Sequence, residues 1–284
     1  MTLDIKTDDF FITDKKSLWK GQSLYELYEQ AHTPWEWHEQ IMKRAHELGM
    51  VCFSTPFDAS SVDFLETLAV PAYKIASFEN ADLPLIRKVA ETGKPMFIST
   101  GMATLAELDE TVRTIRESGC EQFVLLKCTS TYPATPGNSN LMTIPHMKTL
   151  FDCEVGLSDH TMGIGGSVAA IALGATVIEK HFTLSRADGG VDSAFSMEPD
   201  EMKQLVQGVR ETELSLGTSR RFISSDEEDI RKMVRRSIVL KTDVQKGDKI
   251  ALDNIKFARP GTGIPTNEFK FVEGRKVKQD LLAE

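Results

Sequence analysis

Glu154-Val155-Gly156-Leu157-Ser158-Asp159-His160 and, further on, Val177-Ile178-Glu179-Lys180-His181-Phe182 are two versions of one pattern. Each is a short apolar strand that stops at a histidine with polar neighbours. The segment between them, Ile164 to Gly174, reads as a helix rich in Ala and Gly. Strand, helix, strand in that order makes a parallel unit, so both histidines emerge at the same edge of one sheet. A single histidine at a strand end is usually a hydrogen-bonded structural residue. Two imidazoles converging from neighbouring strand ends also suit a divalent metal, and at this point both readings stand.

The same cycle runs upstream. Thr33-Pro34 reads as an N-cap followed by proline at the first helical position, opening a helix through Trp35, Ile41 and Met42 to Gly49. Strands are expected at Val51–Thr55, Ala72–Ser77, Pro95–Thr100 and Phe123–Thr129 before the two histidine strands. The helices between them are expected at Ser60–Leu68, Leu83–Thr92, Ala106–Ser118 and near Leu141–Leu150. A long amphipathic helix, Pro199 to Leu216, follows. Six strand–helix units at this spacing indicate a parallel sheet with crossover helices. Every strand is apolar until its last residues and then turns polar. Function gathered from many strand ends is the habit of the (β/α)8 TIM barrel, whereas an open doubly wound sheet concentrates it at one switch point. The expected fold is therefore an α/β barrel, two units short of eight.

After Leu216 the pattern changes. Arg220 to Glu228 is a charged linker, and short strands are expected at Ser237–Leu240 and Ile255–Ala258 around the Lys246-Gly247 turn. The expected division is a partial barrel over 1–219, a linker over 220–233 and a small β-rich domain over 234–284. A domain that small is marginal alone and should dock on something. The chain's 284 residues carry a net charge of -9, which argues against nucleic acid and against an anionic membrane surface as partners. No apolar run is long enough to span a bilayer, Met1–Asp9 lacks a signal-peptide layout, and the four cysteines are scattered. A soluble cytoplasmic protein is expected.

If the strand ends share one cavity, Lys74 and Lys127 with hydroxyls from Thr55, Ser77, Ser99, Ser130 and Ser158 suit a phosphate or a phosphorylated carboxylate. Glu79, two residues beyond Ser77 on the same strand, should point to the same side and is a candidate acid or base. Asp192, in Gly189-Gly190-Val191-Asp192-Ser193, sits on a loop that can fold over a polar substrate, although an aspartate there can equally serve the turn. Trp35 and Trp37 read as packing residues. No GxGxxG after a strand, no Walker lysine and no GxSxG elbow is present, so dinucleotide, triphosphate and serine-hydrolase chemistry have no support.

Phe53-Ser54-Thr55-Pro56-Phe57-Asp58, Tyr73 to Glu79, Ser99-Thr100-Gly101-Met102, Leu157 to His160 and Glu179 to Phe182 together resemble the sialic acid synthase family. Arg259-Pro260-Gly261-Thr262-Gly263 is similar to a loop of its C-terminal antifreeze-like (SAF) domain. Thr33 to His38, Ala76 to Glu79 and Asp192 to Pro199 resemble the branch that makes pseudaminic acid. The resemblance implies an enzyme, a transferase that condenses phosphoenolpyruvate with an N-acetylated amino sugar, here 2,4-diacetamido-2,4,6-trideoxy-L-altrose, and releases phosphate by C–O cleavage. It makes His160 and His181 ligands of a divalent metal, Mn2+ first and Mg2+ or Co2+ as alternatives. Thr55, Lys74, Ser77, Ser99, Ser130 and Ser158 would hold phosphoenolpyruvate, and Glu79 would act near the reacting carbons. Tyr132, Asp192 and Arg259 would contact the sugar, Arg259 from the SAF domain of the partner subunit in a homodimer.

Family members begin with two further strand–helix units, so the resemblance also implies a chain lacking them, short at the end of its SAF domain and weak in activity alone. The rival readings are an N-acetylneuraminate or legionaminate synthase, another phosphoenolpyruvate aldol enzyme, which would lack the SAF tail, and a non-catalytic fragment that binds sugar or a partner.

Overall fold

The computed structural model describes residues 10–13, 17–220 and 222–283; Met1–Asp9, Arg221 of the charged linker and Glu284 lie outside the described residues. The chain forms two compact units, Met1–Gly217 and Thr218–Glu284.

In the first unit α1 (Leu24–Ala31) opens with a capping box between Ser23 and Glu26. Next comes α2 (Trp35–Glu47), whose N-cap is Pro34 and not Thr33. No side chain caps it; the His38 ring folds back to the Pro34 carbonyl at 3.1 Å. Then follow α3 (Ala59–Thr67), β1 (Tyr73–Ile75), α4 (Leu83–Ala90), β2 (Met96–Ser99), α5 (Leu105–Glu117), β3 (Phe123–Cys128), α6 (Thr143–Phe151), β4 (Glu154–Asp159), α7 (Gly165–Ala172), β5 (Ile178–Lys180) and α8 (Pro199–Leu216). The five strands form one parallel sheet in sequential order. This is part of a barrel wall with its crossover helices.

Strand geometry sends successive side chains to opposite faces. Tyr73, Ile75, Met96, Ile98, Phe123, Leu125, Val155 and Leu157 face the helices and form the buried core with Val62, Ile86, Ile115 and Ile144. The intervening residues, Lys74, Phe97, Ser99, Leu126, Cys128, Gly156, Ser158 and Glu179, lie on the other face. Register fixes the alignment: Lys74 pairs with Phe97, Cys128 with Ser158, Ser158 with Glu179 and Asp159 with Lys180. Gly156 is demanded by this packing. A Cβ there would lie 2.5 Å from the Val177 carbonyl and 2.7 Å from Leu126.

Three further expectations are corrected. Val51–Thr55 is not a strand: only Ser54 bridges to Tyr73, because the neighbouring strand starts just after Pro71 and is three residues long. Glu79 does not continue β1, since Ser77–Glu79 is a turn of 3-10 helix and the two-residue alternation ends at Ile75. Lys127 does not face the strand-end cavity. It falls on the helix-facing parity, and its ammonium bonds Thr129 Oγ1 at 2.8 Å and the Cys128 carbonyl at 3.1 Å.

The second unit starts with α9 (Ser225–Val234), capped by Ser224 and Glu227. Strands β6 (Ser237–Leu240) and β7 (Ile255–Ala258) pair antiparallel, and α10 (Phe269–Val272) follows. The Ser237 hydroxyl donates to the Pro260 carbonyl at 2.7 Å and accepts from the Gly263 N–H at 2.9 Å, which fixes the Arg259–Gly263 loop to β6. Among the described residues no helix is long and apolar enough to cross a membrane.

Candidate active site

The polar strand ends open into one cavity of about 690 Å3, lined among others by Thr55, Lys74, Ser77, Ser99, Tyr132, Ser158, His160, His181 and Asp192. Nine of the thirteen site residues named from sequence therefore meet in one place. Arg259 belongs to the second unit, where its Nε donates to the Val234 carbonyl at 2.6 Å. Glu79 and Ser130 stand just behind the lining.

The floor is a chain of charge-assisted hydrogen bonds. Lys74 Nζ donates to Ser99 Oγ at 2.8 Å and lies 3.5 Å from Glu179 Oε2. Glu179 Oε1 accepts from Ser158 Oγ at 2.7 Å. Beside it Ser77 Oγ meets Cys128 Sγ at 3.3 Å and accepts from the Gly101 N–H at 3.2 Å. Glycine is required at 101: a Cβ would sit 2.1 Å from Ser130 Oγ and 2.8 Å from Ser77 Oγ, and both hydroxyls would have to turn away. One ammonium among short hydroxyl donors is a cradle for an oxyanion.

The histidine rings lie 5.2 Å apart between centroids. His160 Nδ1 meets the Thr129 carbonyl at 3.1 Å and Cys128 Sγ at 3.8 Å, which leaves Nε2 as the nitrogen without a partner among the described residues. His181 Nδ1 faces Asp192 Oδ2 at 3.5 Å. Each ring is thus held through one nitrogen with the other available, the outer-shell arrangement that metal-ligating histidines use. Among the described residues no group of three or more His, Cys, Asp or Glu is placed to hold a metal. Two imidazoles 5.2 Å apart between ring centroids have the donor chemistry that a divalent cation would use. Tyr132 lies beside the pair, its ring 4.5 Å from His160 and 6.2 Å from His181.

Burial shapes the protonation. It drives the Glu79 carboxyl up to about 7, with Lys74 only partly offsetting it, and among the described residues Glu79 Oε2 is buried without a hydrogen-bond partner. Burial raises the Cys128 thiol, but bonds to His160 and Ser77 outweigh it and bring the group down to about 7. His160 is raised: burial opposes this, and the Cys128 thiol and the Thr129 carbonyl prevail. His181 is lowered by burial and by His160, with Asp192 acting the other way.

Sequence reasoning missed Glu179, Cys128 and Trp19. The first two were available from parity, since Glu179 is two residues before His181 on one strand and Cys128 pairs with Ser158 across the next. Trp19 had no local signal. Its Nε1 donates to the Val191 carbonyl at 3.0 Å, tying the opening segment to the Asp192 loop. Trp35 stacks on Phe64 at 4.4 Å and lines the cavity, but it is 49% exposed and Trp37 is 57% exposed, so the expected buried packing role does not hold for the pair.

Comparison with known proteins adds the rest. The NeuB family profile matches residues 2–221 and that of the SAF domain matches residues 235–283. A pseudaminic acid synthase from Campylobacter jejuni subsp. jejuni is 42% identical over 282 residues, covering 99% of this chain and 81% of the relative. An N,N'-diacetyllegionaminic acid synthase from Legionella pneumophila is 37% identical, covering 99% of this chain and 80% of the relative. Among solved structures, an N-acetylneuraminic acid synthetase from Leptospira borgpetersenii in complex with citrate superposes with a TM-score of 0.69 at 29% identity, covering 72% of each chain.

Proposed function

Because the chain belongs to the NeuB family and carries a SAF domain behind it, we propose that it is a sialic-acid-synthase-type transferase. It condenses phosphoenolpyruvate with 2,4-diacetamido-2,4,6-trideoxy-L-altrose to give pseudaminic acid and phosphate. The observation that carries this reading is the pair of facing imidazoles, 5.2 Å apart, beside the Lys74–Ser99 and Ser158–Glu179 floor. The choice of acceptor rests on pseudaminic acid synthases being about 40% identical across nearly the whole chain.

His160 and His181 would hold a divalent cation, Mn2+ first, which when bound supplies a Lewis acid for the acceptor's aldehyde oxygen. Lys74, Ser99, Ser77 and Ser158 hold the phosphate and carboxylate of phosphoenolpyruvate, with Thr55 and Ser130 completing the ring of hydroxyls. C3 of phosphoenolpyruvate bonds to the aldehyde carbon, water adds at C2, and the C2–O bond to phosphorus-bearing oxygen breaks as phosphate leaves. Lys74 stabilises the charge that gathers on that leaving group. Glu79, poised near neutral pH, takes the proton of the adding water. Tyr132 and Asp192 orient the sugar.

Charge supports a homodimer in which the second unit, with Arg259, covers a partner's first unit. Residues through Gly217 contain 18 Lys and Arg against 31 Asp and Glu, net -13; the remainder contain 15 against 11, net +4, together the overall -9. Opposite net charges steer such an encounter.

Phosphate release from phosphoenolpyruvate with Mn2+ and a panel of acceptors tests the reading. The L-altrose sugar should be the preferred acceptor and His160→Ala inactive. Preference for the legionaminate or N-acetylneuraminate acceptor would replace the substrate assignment, and no phosphate with any acceptor would remove the enzymatic one.

A further inference from the structure

The rung of the β4–β5 ladder next to the histidines carries an ion pair on the opposite face from the cavity floor. Asp159 is in register with Lys180, and Lys180 Nζ lies 3.0 Å from Asp159 Oδ2, both side chains only 2% exposed. One rung earlier, Ser158 and Glu179 face the cavity; one residue later on each strand come His160 and His181.

Every polar atom of this pair is used. Asp159 Oδ1 accepts from the backbone N–H and the hydroxyl of Thr161, each at 2.8 Å. The N–H bond runs to the second residue along and wraps the chain around His160 as an Asx turn. Asp159 Oδ2 also accepts from Ser167 Oγ at 2.7 Å, which ties the turn to α7. Lys180 Nζ donates a second bond, at 2.6 Å, to the Thr161 carbonyl. The ammonium is therefore committed to the turn that carries His160, while its own backbone leads directly into His181. The tethers on the cavity side hold the rings themselves: Thr129 on His160 and Asp192 on His181.

We infer that Asp159 and Lys180 are positioning residues for the two imidazoles, a buried clamp that sets the distance between the backbones of His160 and His181. The hydrophobic alternative for such a site is instructive. Replacing both partners of a buried ion pair with uncharged residues is often neutral for stability, whereas removing one strands the other's charge. Retention of the pair here calls for a geometric reason, and the histidine rung beside it supplies one. The inference extends the two-histidine metal reading, and the test separates the two.

The test compares the full chain with D159N/K180M, which removes both charges while leaving a side-chain amide at position 159 to serve Thr161 and Ser167; K180M alone is the mismatched control. With ring-labelled histidine and no metal, the wild type should show an NOE between the His160 and His181 rings, and D159N/K180M should lose it while its Tm stays within about 5 °C. With phosphoenolpyruvate present, Mn2+ affinity read by EPR of the free ion should fall about 10- to 100-fold in the double variant, as for other outer-shell changes. K180M should lose more Tm than the double variant. A folded double variant that keeps both the ring–ring NOE and the wild-type Mn2+ affinity overturns the inference. So does one that no longer folds, which would make the pair a fold staple. If the wild type shows the NOE but binds no Mn2+, and the variant loses the NOE, the clamp stands and the metal reading falls.

Discussion

Alternate residues of the same five strands build two faces with opposite tasks. Toward the helices, Tyr73, Ile75, Met96, Ile98 and Leu125 are fully buried in the apolar core, and Tyr73 reaches the Glu66 carboxylate through its hydroxyl. On the other face, Lys74, Ser99, Cys128, Ser158 and Glu179 form a hydrogen-bonded floor open to a cavity. The first face holds the sheet together by burial, about 25 cal/mol per Å2 of apolar surface. The second keeps ammonium, carboxylate and imidazole groups half-desolvated, which strengthens their fields and leaves them few internal partners. A single strand thus carries stability on one parity and chemistry on the other. The comparison is useful because it assigns each substitution an effect in advance.

The largest effect is expected on the cavity face. His181→Ala should lower turnover about a thousandfold, several kcal/mol of lost charge stabilisation, while Tm, followed by circular dichroism, hardly moves. A comparable loss of Tm would mean that the histidine serves the fold. On the helix face Ile98→Ala should cost about 2–5 kcal/mol in denaturant unfolding, with kcat per folded molecule unchanged. Glu179→Gln comes next. Losing the charge between Lys74 and Ser158 should cost about 1.5–3 kcal/mol of kcat/KM, read chiefly as weaker phosphoenolpyruvate binding, with stability near wild type. If it unfolds the protein instead, the partition between faces fails at its most informative position.

The smallest effect is a pH dependence. Glu79 is about 7 in the folded chain against 4.5 for the free side chain, so the native state binds a proton the unfolded chain has released. Its contribution to stability is complete below about pH 4.5 and is lost as pH rises through about 7. Glu79→Gln should remove that downward slope of Tm across pH 4.5–7. The lowered carboxylates, such as Asp159, act in the opposite direction and at lower pH. An unchanged slope in the Gln variant would show that Glu79 is solvated.

How much of this was legible beforehand follows from parity and distance. The helices were legible from period and caps, so Pro199–Leu216 and the strands Ser237–Leu240 and Ile255–Ala258 fall where the sequence puts them. The facing histidines were legible because one local motif occurs twice. Lys127 is polar and near a strand end, which suggests the cavity, but two-residue alternation from Ser158 through the β3 register places it on the helix side. Glu79 was misplaced because the strand gives way to a 3-10 turn, which sequence periodicity over three residues cannot resolve. Val51–Thr55 makes a single bridge because pairing depends on both segments, and β1 beside it is three residues long. Trp19 and Val191, 172 residues apart, meet through tertiary structure alone.

The reaction itself can be followed by one atom. Phosphoenolpyruvate labelled with 18O at the oxygen bridging C2 and phosphorus, incubated with the protein, Mn2+ and 2,4-diacetamido-2,4,6-trideoxy-L-altrose, should yield inorganic phosphate that carries the label, because the C2–O bond breaks. Unlabelled phosphate, with the label retained in the sugar acid, or no phosphate at all, would contradict the account.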